Sequence, residues 1–372
     1  MSNALTTTKE LPIDQILQGD TREILPKLPR SSVDLIFADP PYNLQLQQEL
    51  WRPNLTHVDA VDDEWDQFDD FAAYDSFTRA WLEAARWVMK DTATIWISGT
   101  YHNIFRVGTI LQDLGFWILN TVTWYKTNAM PNFRGTRLKN DVEFVIWAKR
   151  GEKGSYTFNH HQMKQFNVGK QLGSMWTIPV CGGQERLKDA EGKKLHPTQK
   201  PEELLKRIII ASSNINDIVL DPFLGSGTTA VVAKQLGRRW IGIERDLTYI
   251  QAAKTRIDQI QPLLPEELTS YSAQAKPEKI PFRTLLKMGY LHPGQTLYLD
   301  SPESTAIILE DGHIRSNGFA GSIHRVGAQL KKAPSCNGWV HWQYVDEVSG
   351  KRRPINVLRE QIREASKANV ET

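Results

Sequence analysis

Residues 33–42 read Val33-Asp34-Leu35-Ile36-Phe37-Ala38-Asp39-Pro40-Pro41-Tyr42. The apolar run has the length and composition of a buried strand. It ends on an acid, a double proline and an aromatic ring. In an open α/β sheet, such a strand delivers these groups to the carboxyl edge, where ligands bind. Asp39 can accept one N–H, and the Pro40 carbonyl can accept another, since proline keeps its acceptor while lacking a donor. Pro41 stiffens the turn, and Tyr42 offers a face for stacking. The combination suits a planar ring carrying an exocyclic amine. Two acceptors that favour a tetrahedral nitrogen raise the reactivity of such an amine toward an electrophilic methyl group. Taken alone, the tetrapeptide reads equally well as a proline-rich turn after a strand.

Working outward, strand and helix signals alternate. Helices are predicted over 71–89, 103–114, 202–212, 228–236 and 248–260, and strands over 94–98, 116–125, 143–148, 218–220 and 239–243. This is the rhythm of a doubly wound α/β domain. Between them, residues 149–194 read as a polar, glycine-containing stretch. Trp81, Trp87, Trp96 and Trp147 are assigned to core packing.

A second motif, Asp221-Pro222-Phe223-Leu224-Gly225-Ser226-Gly227-Thr228-Thr229, follows the strand at 218–220 and opens a helix. Gly225 and Gly227 permit a tight turn and close backbone approach to a ligand. Glu244 ends the next strand, 23 residues after Asp221. An acid near that offset commonly binds ribose hydroxyls. The turn lacks both the full dinucleotide fingerprint and the lysine of a phosphate loop. A nucleoside ligand without pyrophosphate is expected, and S-adenosylmethionine meets that requirement better than NAD or ATP.

The two motifs, in this order, resemble the β-class DNA amino-methyltransferases, in which the catalytic motif precedes the cofactor motif. The resemblance covers about residues 11–260. It implies a Rossmann-like S-adenosylmethionine-dependent methyltransferase sheet with circularly permuted motif order. Leu17-Gln18-Gly19-Asp20 is similar to the family's element near the cofactor adenine. His196-Pro197-Thr198-Gln199-Lys200-Pro201 is similar to the element before the cofactor strand. Trp124-Tyr125-Lys126 and Asn140-Asp141-Val142-Glu143 resemble segments near the flipped base, and Trp65-Asp66 resembles another recurrent element. The resemblance implies catalysis by Asp39, Pro40, Pro41 and Tyr42. It implies cofactor contacts from Asp20, Asp39, His196, Lys200, Asp221, Pro222, Phe223, Gly225, Ser226, Gly227, Thr228 and Glu244.

Residues 261–280, with Pro262, Pro265 and Pro277, read as a linker. Beyond it, 281–372 reads as a small α+β domain with strands such as 296–299 and 305–309 and a helix from Pro354 to about Lys367. Its segment from Ser316 to Trp339 is similar to the tail of the cell-cycle-regulated (CcrM-like) adenine methyltransferases. That implies N6-methylation of a flipped adenine at GANTC sites in duplex DNA, with homodimers on the DNA. Nearby alternatives are cytosine-N4 methylation, methylation of RNA or of a protein amide, and a silent DNA-binding protein on the same scaffold.

DNA contacts are expected from Arg52 and Asn54 in the acidic segment 44–70, which reads as either a DNA-closing loop or a solvated insertion. The basic loop supplies Arg134, Arg137 and Lys139, and the tail supplies Asn317, Arg325 and Lys331. Composition permits these readings without requiring them: 40% hydrophobic, 24% charged and a net charge of +2. Cys181 and Cys336 lie far apart with no ligand spacing, and His160-His161 lacks a third ligand, so neither a disulfide nor a metal is expected. No signal peptide or membrane span is read, which fits a cytoplasmic, nucleoid-associated protein.

Overall fold

The computed structural model describes residues 10–44, 50–51, 57–58, 66–132, 135–189, 191–269, 280–300, 304–347 and 349–368. The chain divides into two compact units, Met1–Ala273 and Gln274–Thr372.

The first unit is built on an eight-stranded sheet. Its strands are β1 (Gln15–Gln18), β2 (Val33–Ala38), β3 (Met89–Gly99), β4 (Trp117–Tyr125), β5 (Val142–Lys149), β6 (Met175–Thr177), β7 (Ile218–Asp221) and β8 (Arg239–Glu244). The spatial order is β1-β8-β7-β2-β3-β5-β4-β6. Strands β1, β8, β7, β2 and β3 run parallel, and β5 runs antiparallel to both β3 and β4. The polar β1 and the three-residue β6 escape sequence reading because neither carries a long apolar run.

Strand β2 is central because both of its faces are covered. Leu35 and Phe37 point into one core, with Ile208 and Ile209 of α3 (Glu202–Ser212) and Val231 of α4 (Thr228–Gln235). Ile36 and Ala38 point into the other, with Trp81, Leu82 and Val88 of α1 (Phe71–Val88) and Val107 and Leu111 of α2 (Ile104–Asp113). Successive strand residues face opposite sides, so a strand buried twice reads as a continuous apolar run. Asp34 is the exception, and Lys90 Nζ answers its carboxylate at 2.8 Å. Trp81, Trp96 and Trp147 are buried as expected, but Trp87 is 42% exposed. It lies on the outer flank of α1, where the Arg30 guanidinium stacks 5.1 Å from its ring. The amphipathic stripe of α1 has no place for it in the core.

The register aligns the functional ends. Ala38 pairs with Ile97, Asp221 with Gly242, and Gln18 with Glu244. Asp39, Ser98, Asp221, Glu244 and Gly19 therefore come to one edge of the sheet. The antiparallel β5 begins at that edge, beside Gly99, with Phe144 as the partner residue.

The proline-rich stretch read as a linker is partly structured. Pro265–Thr269 is helical, Leu263 N–H donates to the Gln235 carbonyl, and Leu268 is buried. Residues 270–279 of it lie outside the described residues.

The second unit is an antiparallel six-stranded sheet with helices, an α+β arrangement. Its strands are β9 (Thr296–Leu299), β10 (Thr305–Ile308), β11 (Ile314–Ser316), β12 (Phe319–Gly321), β13 (Trp342–Val345) and β14 (Arg352–Pro354), in the order β12-β11-β10-β9-β13-β14. Trp339 and Trp342 sit in its core with Leu297, Ile314, Val326 and Leu358. The Trp342 indole N–H donates to the Ile323 carbonyl at 2.8 Å, so its polar atom is satisfied where it is buried.

Candidate active site

A cleft of about 670 Å³ opens at the carboxyl edge of the first unit's sheet. That size suits a nucleoside-sized ligand with room beside it. Asp39, immediately after β2, stands at its floor with both carboxylate oxygens engaged. Oδ1 accepts from the Tyr42 hydroxyl at 2.7 Å, and Oδ2 accepts from Lys200 Nζ at 2.6 Å. Each oxygen has two lone pairs, so acceptor capacity remains. The Pro41 carbonyl is taken by the Tyr74 hydroxyl at 3.0 Å. The Pro40 carbonyl takes no hydrogen bond among the described residues.

Tyr42 is less open than a simple stacking platform. It is 7% exposed, its hydroxyl lies 2.9 Å from Ser98 Oγ, and Lys200 Nζ lies 5.2 Å from its ring centroid. Burial, then the charges of Asp39 and Glu143, hold its phenol well above the usual range. Lys200 is itself buried. Its desolvation opposes the charge, but Asp39 and Glu143 outweigh it and raise the ammonium's pKa. Lys126 Nζ closes the group against Glu143 Oε1 at 3.2 Å. Asp39, Glu143, Lys200 and Lys126 thus form a cluster of balanced formal charge, its lysines buried and its acids half-buried.

The cofactor half is the turn after β7. Asp221 Oδ2 accepts from Thr229 Oγ1 at 2.5 Å, and Oδ1 from Phe223 N–H at 2.9 Å. Burial raises its carboxyl to about 7, with Thr229 and Phe223 pulling the other way. Gly225 has φ +51°, and a Cβ there would meet His196 Nε2 at 2.9 Å. Gly225 N–H donates to Glu244 Oε2 at 2.8 Å, and Glu244 Oε1 accepts from the amides of Arg245 and Asp246. Burial, then the charges of Lys200 and Arg186, lower His196 to about 4, so its ring is neutral at pH 7. Asp20 caps the helical turn Thr21–Ile24 and bonds Arg22, which lowers its pKa.

Asp20, Asp39, Pro40, Pro41, Tyr42, His196, Lys200, Asp221, Pro222, Phe223, Gly225, Ser226, Thr228 and Glu244 all line this one cleft. Two expectations change. Gly227 does not line it: φ is +82°, and a Cβ there would meet Ala253 Cβ of α5 (Leu247–Asp258) at 2.9 Å, so this glycine serves helix packing. Lys200 reaches Asp39 instead of standing only on the cofactor side. Two residues that sequence reasoning did not assign to the site also belong to it. Ser98 arrives through the β2–β3 register, and Asp66 accepts from the amides of Tyr42, Asn43 and Leu44. Neither has a local sequence signal beyond the likeness at Trp65-Asp66.

Of the residues expected at DNA, Arg52, Asn54 and Arg134 lie outside the described residues. Arg137 Nη1 donates to the Tyr101 hydroxyl at 3.0 Å, and Lys139 lies 3.5 Å from Asp141. In the second unit Asn317 sits at φ +49° in the turn between β11 and β12. Arg325 lies 5.3 Å from the Phe319 ring centroid. Lys331 is engaged, donating to Asp300 at 2.6 Å. Among the described residues no group of three or more His, Cys, Asp and Glu side chains could hold a metal, and no helix is long and apolar enough to cross a membrane.

The fit to S-adenosylmethionine rests on this geometry. Gly225 lets the turn pack tightly against the His196 ring at the cleft, and Asp20 and Glu244 set carboxylates at the strand ends that line it, where a nucleoside would find acceptors. No lysine stands in the turn to meet a pyrophosphate. A permuted α/β sheet with this cleft defines the Rossmann-like methyltransferases. PvuII DNA methyltransferase, titled cytosine-N4-specific, shares the fold with a TM-score of 0.52 and 19% identity, over 70% of this chain and 92% of that one.

The DNA methylase family (N6_N4_Mtase) matches residues 33–255, and the Restriction Enzyme Adenine Methylase Associated family matches residues 264–368. Type II methyltransferase M.HinfI of Haemophilus influenzae is 46% identical over 327 residues, which is 88% of this chain and 91% of the relative. Type II methyltransferase M2.LlaDCHI of Lactococcus lactis subsp. cremoris is 42% identical over 245 residues, 66% of this chain and 89% of the relative. The chain belongs to the DNA methylase family and is an S-adenosylmethionine-dependent DNA methyltransferase.

Proposed function

We propose that this enzyme methylates N6 of adenine in duplex DNA, at GANTC sites, as a relative of the cell-cycle-regulated methyltransferases. The observation that carries the reading is the Asp39–Pro40 acceptor pair lying in one cleft with the Gly225 turn. The match of the second unit to a family described as adenine methylase associated favours adenine over cytosine. The tail's likeness to the GANTC-specific enzymes supports the site.

The target amine is stacked and paired in a duplex, so the base leaves the helix to reach Asp39. Asp39 and the Pro40 carbonyl accept the two amine hydrogens, and Tyr42 lies against the base. S-adenosylmethionine supplies an electrophilic methyl group when bound. Asp20 and Glu244 would hold its nucleoside end, and the Gly225 turn would let the backbone come close to it. Asp39 is the first acceptor for the proton that the amine loses. The chain contributes chiefly position and a prepared field. The residues 1–260 carry the chemistry, 281–372 carry DNA recognition, and the enzyme works as a homodimer near the nucleoid.

Incubation with methyl-labelled S-adenosylmethionine and defined duplexes, followed by mapping of the modified base, tests this. N6-methyladenine confined to GANTC duplexes is the expected outcome. N4-methylcytosine, or label in RNA or protein, overturns it. Asp39→Ala should abolish transfer and leave cofactor binding intact.

A further inference from the structure

Asp66 is buried, 3% exposed, and lies 24 residues after Tyr42. Its side chain spends both oxygens on the backbone just beyond the catalytic turn. Oδ1 accepts from Tyr42 N–H at 2.5 Å and Asn43 N–H at 2.9 Å, and Oδ2 accepts from Leu44 N–H at 2.9 Å. Three consecutive amides converge on one anion. The chain reaches this geometry by placing Asn43 at φ +53°, in the left-handed region. Successive N–H groups around such a residue form a concave anion site. Here the anion comes from the protein itself. Hydrogen bonds from amides to a carboxylate are about twice as strong as neutral ones.

The opposite side of the turn is held as well. The Tyr74 hydroxyl donates to the Pro41 carbonyl, and Asn103 Nδ2 donates to the Tyr74 oxygen at 3.0 Å. Tyr42 is thus tied through its amide to Asp66 and through its hydroxyl to Asp39 and Ser98.

We propose, resting on the proposed function above, that Asp66 is a positioning residue for methyl transfer: its carboxylate clamps the amides of residues 42–44 and so sets where Tyr42 meets the target base and, through Tyr42, where Asp39 meets its amine. Asp66 makes no hydrogen bond to the Gly225 turn or to Glu244 among the described residues. Its loss should therefore misplace the acceptors without weakening the cofactor. A displacement of about 1 Å at such a site costs on the order of a hundredfold in rate.

The clamp also makes a graded prediction. Asparagine keeps one oxygen for two of the amides and turns an NH2 toward the third. Alanine removes all three bonds. The full-length protein, with Asp66→Asn and Asp66→Ala variants, would be assayed for methyl incorporation into PCR-amplified bacterial DNA. Mixed-sequence DNA makes the readout independent of the proposed target site. Cofactor affinity would be measured separately by calorimetry. The expected order of kcat is wild type, then Asn, then Ala, with Ala down about a hundredfold and cofactor Kd within about threefold of wild type. Wild-type turnover in Asp66→Ala, or a loss of cofactor affinity as large as the loss of rate, overturns the proposal. Should Ala fail to fold, the Asn variant decides by the same split between kcat and Kd.

Discussion

Lys200 and Asp39 stand 161 residues apart in sequence and meet at 2.6 Å. The ammonium lies under the catalytic turn, with Glu143 4.0 Å away and the Tyr42 ring beside it. The loop carrying His196 to Lys200 thus reaches both halves of the cleft. His196 packs on the Gly225 turn, and Lys200 secures Asp39.

Removing the Lys200 charge should damage chemistry more than cofactor binding. Lys200→Met leaves the half-buried Asp39 and Glu143 with one cation fewer, and the cost of breaking a fully buried pair, about 3–5 kcal/mol, is an upper bound here. Methyl transfer should fall at least about a hundredfold with a lower melting temperature. Calorimetric titration with S-adenosylmethionine should give nearly unchanged affinity. A large loss of affinity with normal turnover at saturation would return Lys200 to the cofactor.

The Tyr42 hydroxyl orients Asp39 through a 2.7 Å bond and rests on Ser98. A hydrogen bond to a charged group is worth about 1.5–3 kcal/mol, so Tyr42→Phe should reduce kcat by about 10–100-fold. Ser98→Ala should cost less, since Tyr42 keeps its bond to Asp39. Steady-state kinetics on both variants check the order, and a larger effect at Ser98 would contradict it.

Gly225→Ala meets two penalties. The left-handed backbone costs a residue with a Cβ about 1–2 kcal/mol. The new carbon also lies 2.9 Å from His196 Nε2. Binding of S-adenosylmethionine should weaken in titration while the melting temperature drops a few degrees. Gly289, at φ +75° with nothing within 4 Å of an added Cβ, provides the control that bears only the backbone penalty.

Asp221 makes stability fall with rising pH. Its carboxyl is raised from 3.8 to about 7 in the folded protein, so the folded state keeps this proton longer than the unfolded chain. The contribution favours folding below about pH 4 and declines until about pH 7. Roughly three pKa units set an upper bound near 4 kcal/mol. Asp221→Asn should therefore gain on wild type in thermal melts between pH 4 and 7, with a constant difference above. A difference that does not change with pH would contradict this.

Much of the first unit was legible because β2 is buried on both faces, which leaves an apolar run, broken only at Asp34, that ends on Asp39. The turn at Asp221 was legible for a related reason: its left-handed backbone positions leave little choice of residue but glycine, and a strand and helix flank them. The failures are also physical. Trp87 is apolar but lies off the core stripe of α1. Met175–Thr177 forms an edge strand that needs only β4 as a partner, and three residues leave no pattern.

The linear sequence by itself determined the catalytic tetrapeptide, the glycine turn and their order, because strand burial and backbone freedom are local properties. Tertiary structure decided what those groups touch. Strand order brought Ser98 beside Tyr42, and chain folding brought Lys200 to Asp39 and Asp66 to the amides of residues 42–44. Partners 24, 56 and 161 residues away carry no local signal, since burial and register, not spacing, make them neighbours.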